Sequence, residues 1–361
     1  MFLSIAQKLW EISLKTKTDK LDAKHNRIVK EAKKINLKNL LKNYRNWSAQ
    51  DDCGIPFQLN FHNIKFYGFR KYIRYLLAII KANILYGRSL RSYFFDDINL
   101  IKLINGYDIL EKCPVHESPG DSLAFFINKK VSANIRWLRY VYFASVIRNY
   151  FTDKKNDPNI ILDIGSFYGG FQYVAKKTFP NSRHILVDFP HQLCRSAIFL
   201  GYAFPESEVF SIYDQKTFEE YFSNKKYRNF DFLLLSIDFY NKFSDKYIES
   251  DFEKVDLLTN FYSFGEMPKT FFSNYLNSKI LKNSRNLYFC NRYDSSPFYE
   301  RTYEESYSIL DYIVEGFKIE INRSSGIHTY MTTVRSLNKK TRARPISCGY
   351  FDLIQSKDIQ D

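Results

Sequence analysis

No two cysteines in this sequence stand in Cys-x-x-Cys spacing. The five present, Cys53, Cys113, Cys194, Cys290 and Cys348, are odd in number and scattered. This argues against a disulfide framework and a zinc ribbon and fits a reducing compartment. Long apolar runs are also missing. The longest without charge, such as Tyr75 to Ile80 and Tyr140 to Ile147, fall far short of the roughly 20 residues a membrane-spanning helix needs. The opening Met-Phe-Leu-Ser-Ile-Ala-Gln-Lys-Leu-Trp has no basic stretch ahead of its apolar residues, so no secretory signal is expected and the expected location is the cytoplasm. Glycine (13) and methionine (3) are few beside 28 Tyr and 33 Phe. Such a profile reflects an AT-rich genome as much as selection for stacking, so the aromatics are not read as a nucleic-acid platform. No repeat period or low-complexity tract is visible, and 361 residues at 45% hydrophobic suffice for two ordinary domains.

What is present centres on residues 160 to 175. Ile160, Ile161, Leu162 and Ile164 form a short β-branched run, as in a strand buried on both faces of a parallel sheet. Gly165, Gly169 and Gly170 follow, where the chain turns into a helix whose free N–H groups face a ligand. The spacing is Gly-x-x-x-Gly-Gly, without the Gly-x-Gly-x-x-Gly that seats a pyrophosphate on a helix. Asp163 instead gives the acidic-x-Gly-x-x-x-Gly form of a methyltransferase nucleotide loop, its carboxylate near the cationic methionine end of S-adenosylmethionine. A second strand, Arg183 to Asp188, ends in an acid placed to accept two ribose hydroxyls. Alternating strands and helices continue. Pro190 opens a helix that stops at Gly201. Val209 to Tyr213 ends at Asp214, where a side chain reaches toward an adenine amino group. Further strands are read at Phe230 to Ile237, Val255 to Asn260, Asn286 to Cys290, Phe317 to Ile321 and Thr329 to Val334, the last two as an antiparallel pair.

At Asp256-Leu-Leu-Thr-Asn-Phe-Tyr-Ser-Phe-Gly-Glu-Met267 the chain resembles the sugar O-methyltransferases encoded with bacterial surface-polysaccharide and lipopolysaccharide genes. The loop Ile164 to Gly170 and Asp188-Phe189-Pro190 match the same family in the same order, and the likeness covers about residues 110 to 335. The resemblance implies a Rossmann-like methyltransferase sheet of class α/β, mostly parallel with seven strands, preceded by a helical N-terminal region. It also implies S-adenosylmethionine as cofactor, bound by Asp163, Gly165, Gly169, Gly170, Asp188 and Asp214. One departure is Phe167, where the family usually has glycine; a ring there crowds the methionine end of the cofactor.

Methyl transfer from a sulfonium is an in-line displacement, so alignment is most of the work. A sugar hydroxyl needs a general base or a metal to hold its alkoxide. Glu266 is the first candidate for that base, with Asn260 and Ser263 positioning substrate or cofactor. The alternative is that Glu266 caps the next helix or pairs with a lysine. His191 and His328 are the other candidate bases, or loop residues beside the site. No metal is expected, because no histidine falls with acids at metal spacing.

Net charge is +14, and residues 1–50 carry 12 Lys or Arg against 4 Asp or Glu. A basic amphipathic helix there either touches an anionic membrane or a phosphate-bearing partner, or packs on the neighbouring domain with its lysines solvated. The expected division is a basic helical region at 1–150, a methyltransferase domain at 151–340 behind the linker Thr152 to Pro158, and a tail at 341–361. The expected acceptor is a nucleotide-linked, lipid-linked or polymeric sugar. Two rivals stand beside it. One is a ribose methyltransferase acting on RNA, motivated by the charge although Ser296-Pro-Phe-Tyr299 is not a base-methylation motif. The other is a silent scaffold of this fold in a glycan-assembly complex.

Overall fold

The computed structural model describes residues 2–15, 94–119, 125–153, 156–250, 252–295, 306–327 and 349–357. Eight strands form one sheet: β1 Ile160–Ile164, β2 Arg183–Asp188, β3 Val209–Ile212, β4 Phe232–Ser236, β5 Leu257–Phe261, β6 Asn286–Arg292, β7 Lys318–Ser324 and β8 Tyr350–Ser356. Their order is β3-β4-β2-β1-β5-β6-β8-β7. All neighbours pair in parallel except β8, which runs antiparallel to both β6 and β7. The sheet is the expected Rossmann-like kind with eight strands instead of seven.

Alternation along each strand divides the interior into two cores. Ile161, Leu186, Phe232, Leu234, Leu257, Tyr288 and Ile354 face one side, while Ile160, Leu162, Ile185, Val187, Leu233, Leu258 and Leu287 face the other. On the second side lie α6 (Gln215–Ser223), α7 (Tyr240–Glu249), α8 (Lys269–Leu276) and α9 (Lys279–Asn283). The first side is covered by α1 (Phe2–Lys15), α2 (Tyr107–Lys112), α3 (Ile135–Asp153), α4 (Gly170–Thr178) and α5 (Pro190–Ala203). The described parts of residues 1–150 share a core with the sheet. In α1, Ala6, Leu9 and Trp10 are buried, and the Phe2 ring lies where a Cβ on Gly201 of α5 would stand, 2.1 Å from its Cγ. Of the two readings of this helix, the packed one describes α1; the rest of the basic stretch, residues 16–50, lies outside the described residues.

The expected tail, 341–361, contains β8, which is buried along its whole length. The strand was disguised by its polar members. Asp352 accepts hydrogen bonds from the Tyr142 (2.5 Å) and Tyr288 (3.0 Å) hydroxyls. Gln355 accepts from Val314 N (2.9 Å) and donates to Tyr312 O (2.9 Å). Each buried polar group is satisfied, so burial carries little penalty. The partner expected for β7, Thr329 to Val334, lies outside the described residues.

Among the described residues no helix is long and apolar enough to cross a membrane.

Candidate functional site

Strand order reverses at β1, whose neighbours β2 and β5 belong to opposite halves of the sheet. In an open parallel sheet the crevice beyond the strand ends at this point is where ligands bind. Two non-glycine residues with left-handed backbone flank it: Phe167 (φ 57°), after β1, and Tyr262 (φ 65°), after β5. Such conformations cost energy and gather at functional sites.

The loop after β1 is built around Gly165 and Gly169. Gly165 (φ 78°) donates to Val187 O at 2.8 Å, and a Cβ there would stand 2.2 Å from Ser263 Oγ. No side chain fits that space. Phe167 is held from two directions: its N–H donates to Asp188 Oδ2 (2.7 Å) and its carbonyl accepts from Ser196 Oγ (2.8 Å). Its left-handed backbone is one that glycine adopts without strain. The ring lies between the Arg136 and Arg195 guanidiniums, 4.9 and 4.8 Å from its centroid. Gly169 (φ 90°) then lets α4 begin at Gly170.

The loop after β5 is stitched to this one. Fully buried Asn260 donates to Ile164 O (2.7 Å) and Ser263 Oγ (2.5 Å), and it accepts from Phe264 N (2.9 Å) and Asn291 Nδ2 (3.0 Å). Asn260 and Ser263, expected to position substrate or cofactor, are brought to the β1 loop, and these bonds make them its internal brace.

The acids divide by surroundings. Asp163 is buried, accepting from Gln172 Nε2 (2.5 Å) and Thr259 Oγ1 (2.7 Å), so its carboxylate faces the fold and not the crevice. Burial pushes its pKa up to about 7 against the pull of those two bonds, with the nearby Asp188 charge adding to the rise. Below about pH 4 it is protonated folded or unfolded, and between there and pH 7 only the folded state holds the proton. Stability therefore falls as pH rises through this window, and the penalty is complete above it. Asp163→Asn can keep both bonds, with Thr259 rotating to accept. It should match the wild type near pH 4 and exceed it by about 3–4 kcal/mol at pH 8 in denaturant titrations. Equal pH slopes for the two proteins would contradict this.

Asp188 ends β2 at the crevice; besides holding Phe167 N, its other oxygen accepts from Phe189 N at 2.7 Å. Asp214 is a correction. Its strand β3 is the sheet edge, separated from β1 by β4 and β2, and its carboxylate caps α6 by accepting from Thr217 N at 2.8 Å. The strand beside β2 is β4, and Asp238 follows it, exposed in the turn Ile237–Phe239. Its charge and that of Asp188 both act on the buried Tyr275 phenol, whose pKa is raised first by burial. Sequence order concealed this, since it placed Val209 to Tyr213 next to Asp188.

Glu266 follows in the turn Phe264–Glu266 and pairs with Arg292 at 3.5 Å. This is an ion pair, as the alternative reading expected, with an arginine in place of a lysine. His191 is buried in the first turn of α5, its ring stacked on Phe189 with centroids 5.7 Å apart. His328 lies outside the described residues. Among the described residues no three His, Cys, Asp or Glu side chains group as metal ligands.

Four residues at this end of the sheet had no sequence signal: Arg139, Tyr262, Arg292 and Tyr350. Tyr262 packs edge-on against Tyr350 (4.7 Å), Arg292 Nε donates to Tyr350 Oη (2.9 Å), and the Arg139 guanidinium lies 5.1 Å over the Tyr262 ring. Two buried hydroxyls, Ser166 Oγ after β1 and Ser236 Oγ at the end of β4, have no hydrogen-bond partner among the described residues. Ser236 pairs in register with Asp188, so β1, β2 and β4 each end in an oxygen.

No family model matches this chain, and no curated protein matches it. Among solved structures it is similar to a magnesium protoporphyrin IX methyltransferase from Synechocystis with bound SAH (12% identity, 70% of this chain and 95% of that one, TM-score 0.35). It is also similar to an S-adenosylmethionine-dependent methyltransferase from Clostridium acetobutylicum (11%, 60% and 92%, 0.33) and an O-methyltransferase family 2 protein from Planctomyces limnophilus in complex with apigenin (13%, 62% and 60%, 0.31). Scores this low carry no argument about chemistry; strand order and loop geometry place the crevice between β1, β2 and β5.

Proposed function

We propose that the chain is an S-adenosylmethionine-dependent methyltransferase whose acceptor is a sugar hydroxyl of a bacterial surface glycan or its activated precursor. The observation that carries the cofactor reading is the line of oxygens at the ends of β1, β2 and β4, where two hydroxyls without partners flank Asp188. Unsatisfied buried polar atoms are uncommon in native proteins, and a ribose with two hydroxyls fits this set. Asp188 would hold the ribose, Asp238 the adenine edge, and the free N–H groups of α4 the methionine end. When bound, the cofactor supplies an electrophilic methyl group. The chain's own part is to align the acceptor oxygen and to take its proton.

Glu266 is the carboxylate nearest that task on the β5 side. There it pairs with Arg292, so it meets an acceptor proton only if that pair opens. The choice of a sugar rests on the order of the three sequence motifs.

Calorimetric titration of S-adenosylmethionine into the wild type is expected to give binding that disappears in Asp188→Ala, with circular dichroism confirming that the variant folds. NADH should not bind. If the wild type binds neither, titration of Phe167→Gly decides: recovered binding assigns the closed site to the phenylalanine ring, and continued absence removes the cofactor reading in favour of a scaffold.

A further inference from the structure

The arginines around the crevice are not equivalent. Arg292 is engaged by Glu266 and Tyr350, and Arg195 Nη1 donates to Gln192 Oε1 at 3.0 Å. Arg139 is half-buried over the Tyr262 ring, and its Nε is a buried donor with no hydrogen-bond partner. Among the described residues no carboxylate or carbonyl oxygen reaches its guanidinium. Holding a guanidinium partly out of water without an acceptor is costly, and native proteins seldom do so except where a ligand completes the set.

Position narrows the ligand. Arg136 and Arg139 sit three apart on α3, hence on one face, and straddle the switch point: Arg136 lies over Phe167 after β1, Arg139 over Tyr262 after β5. Both rings are fixed in left-handed backbone. Tyr262 packs on Tyr350, and the charges of Arg292, Glu266 and Arg139 all act on the Tyr350 phenol. Arg139 thus stands on the β5–β6–β8 side, across from Asp188 and the expected ribose. An anion bound there belongs to the acceptor. A guanidinium fork with a second cation nearby suits a multiply charged phosphoryl group better than a single carboxylate.

We infer that Arg139 is the anchor of a phosphate subsite on the acceptor side of the crevice, so that the acceptor is a phosphoryl-bearing sugar and not a free one. The inference rests on the methyltransferase reading for the word acceptor, but the anion site is testable without it.

The test is calorimetric titration of inorganic pyrophosphate and, separately, S-adenosylhomocysteine into the full chain. Three proteins are compared: wild type, Arg139→Met and Arg139→Lys, each checked for an unchanged unfolding midpoint. Pyrophosphate should bind the wild type, weaken at least tenfold in Arg139→Met and recover in part in Arg139→Lys. S-adenosylhomocysteine affinity should change less than twofold. Equal pyrophosphate affinity in wild type and Arg139→Met, or no pyrophosphate binding at all, overturns the subsite. A loss confined to S-adenosylhomocysteine also overturns it, by reassigning Arg139 to the cofactor's carboxylate. If pyrophosphate binds through Arg139 while S-adenosylhomocysteine binds neither the wild type nor Phe167→Gly, the subsite stands and the methyltransferase reading fails.

Discussion

Asn260→Ala is expected to lose about 3–5 kcal/mol of stability, the largest single-residue effect in the site. The side chain donates to Ile164 O and Ser263 Oγ and accepts from Phe264 N and Asn291 Nδ2, all in the interior. Removing it strands several of these, and each buried group left without a partner costs about 1–3 kcal/mol. Alanine also leaves a cavity between the loops that border the crevice. Asn260→Asp discriminates the cause, because it keeps the acceptor for Phe264 N, removes both donated bonds, and sets a charge beside a carbonyl. It should be at least as damaging as alanine at pH 8. A urea midpoint within about 1 kcal/mol of wild type for either variant would show that the loops do not depend on this residue.

Gly165→Ala should cost about 3 kcal/mol, from two separable sources. One is the backbone: at φ 78° an L residue pays about 1–2 kcal/mol. The other is space, since the new methyl would meet Ser263 Oγ at 2.2 Å and Ser263 Cβ at 2.7 Å, and overpacking of this kind costs about 1–3 kcal/mol. The double variant Gly165→Ala/Ser263→Gly removes the collision and leaves the backbone penalty. It should therefore be more stable than the sum of the two single changes. Strict additivity would mean that the collision is relieved elsewhere at no cost.

Much of the sheet was legible, because strands buried on both faces leave short apolar runs that need no partner to be seen. β1 and β2 coincide with the runs Ile160 to Ile164 and Arg183 to Asp188, and β3 to β6 fall within two residues of expectation at each end. Pairing order was not legible. Nothing local says that Phe232 to Ser236 inserts between β2 and β3, and that one fact puts Asp238, not Asp214, after the strand beside β2. β8 was missed for a different reason: Asp352 and Gln355 break its apolar pattern, and the groups that satisfy them lie on α3, β6 and the segment before β7. In the site, the glycines and Asp188 were visible as a loop signature. Asn260 and Ser263 were visible as a motif, but whether they face a ligand or the other loop depends on contacts across the sheet. Arg139 carried no signal, since one arginine in an amphipathic helix reads as a solvated charge until Tyr262 is seen beneath it.

The place of β8 also sets the order in which the molecule can be completed. Among the described residues β6 and β7 do not pair with each other but each with β8, so as the chain leaves the ribosome each has an open edge until residues 350–356 have emerged and slid between them. Tyr142 waits just as long for Asp352, although the rest of α3 can already dock. Until those residues are in place two strand edges and a tyrosine-lined slot stay exposed, and this is the interval in which a chaperone has the most to shield.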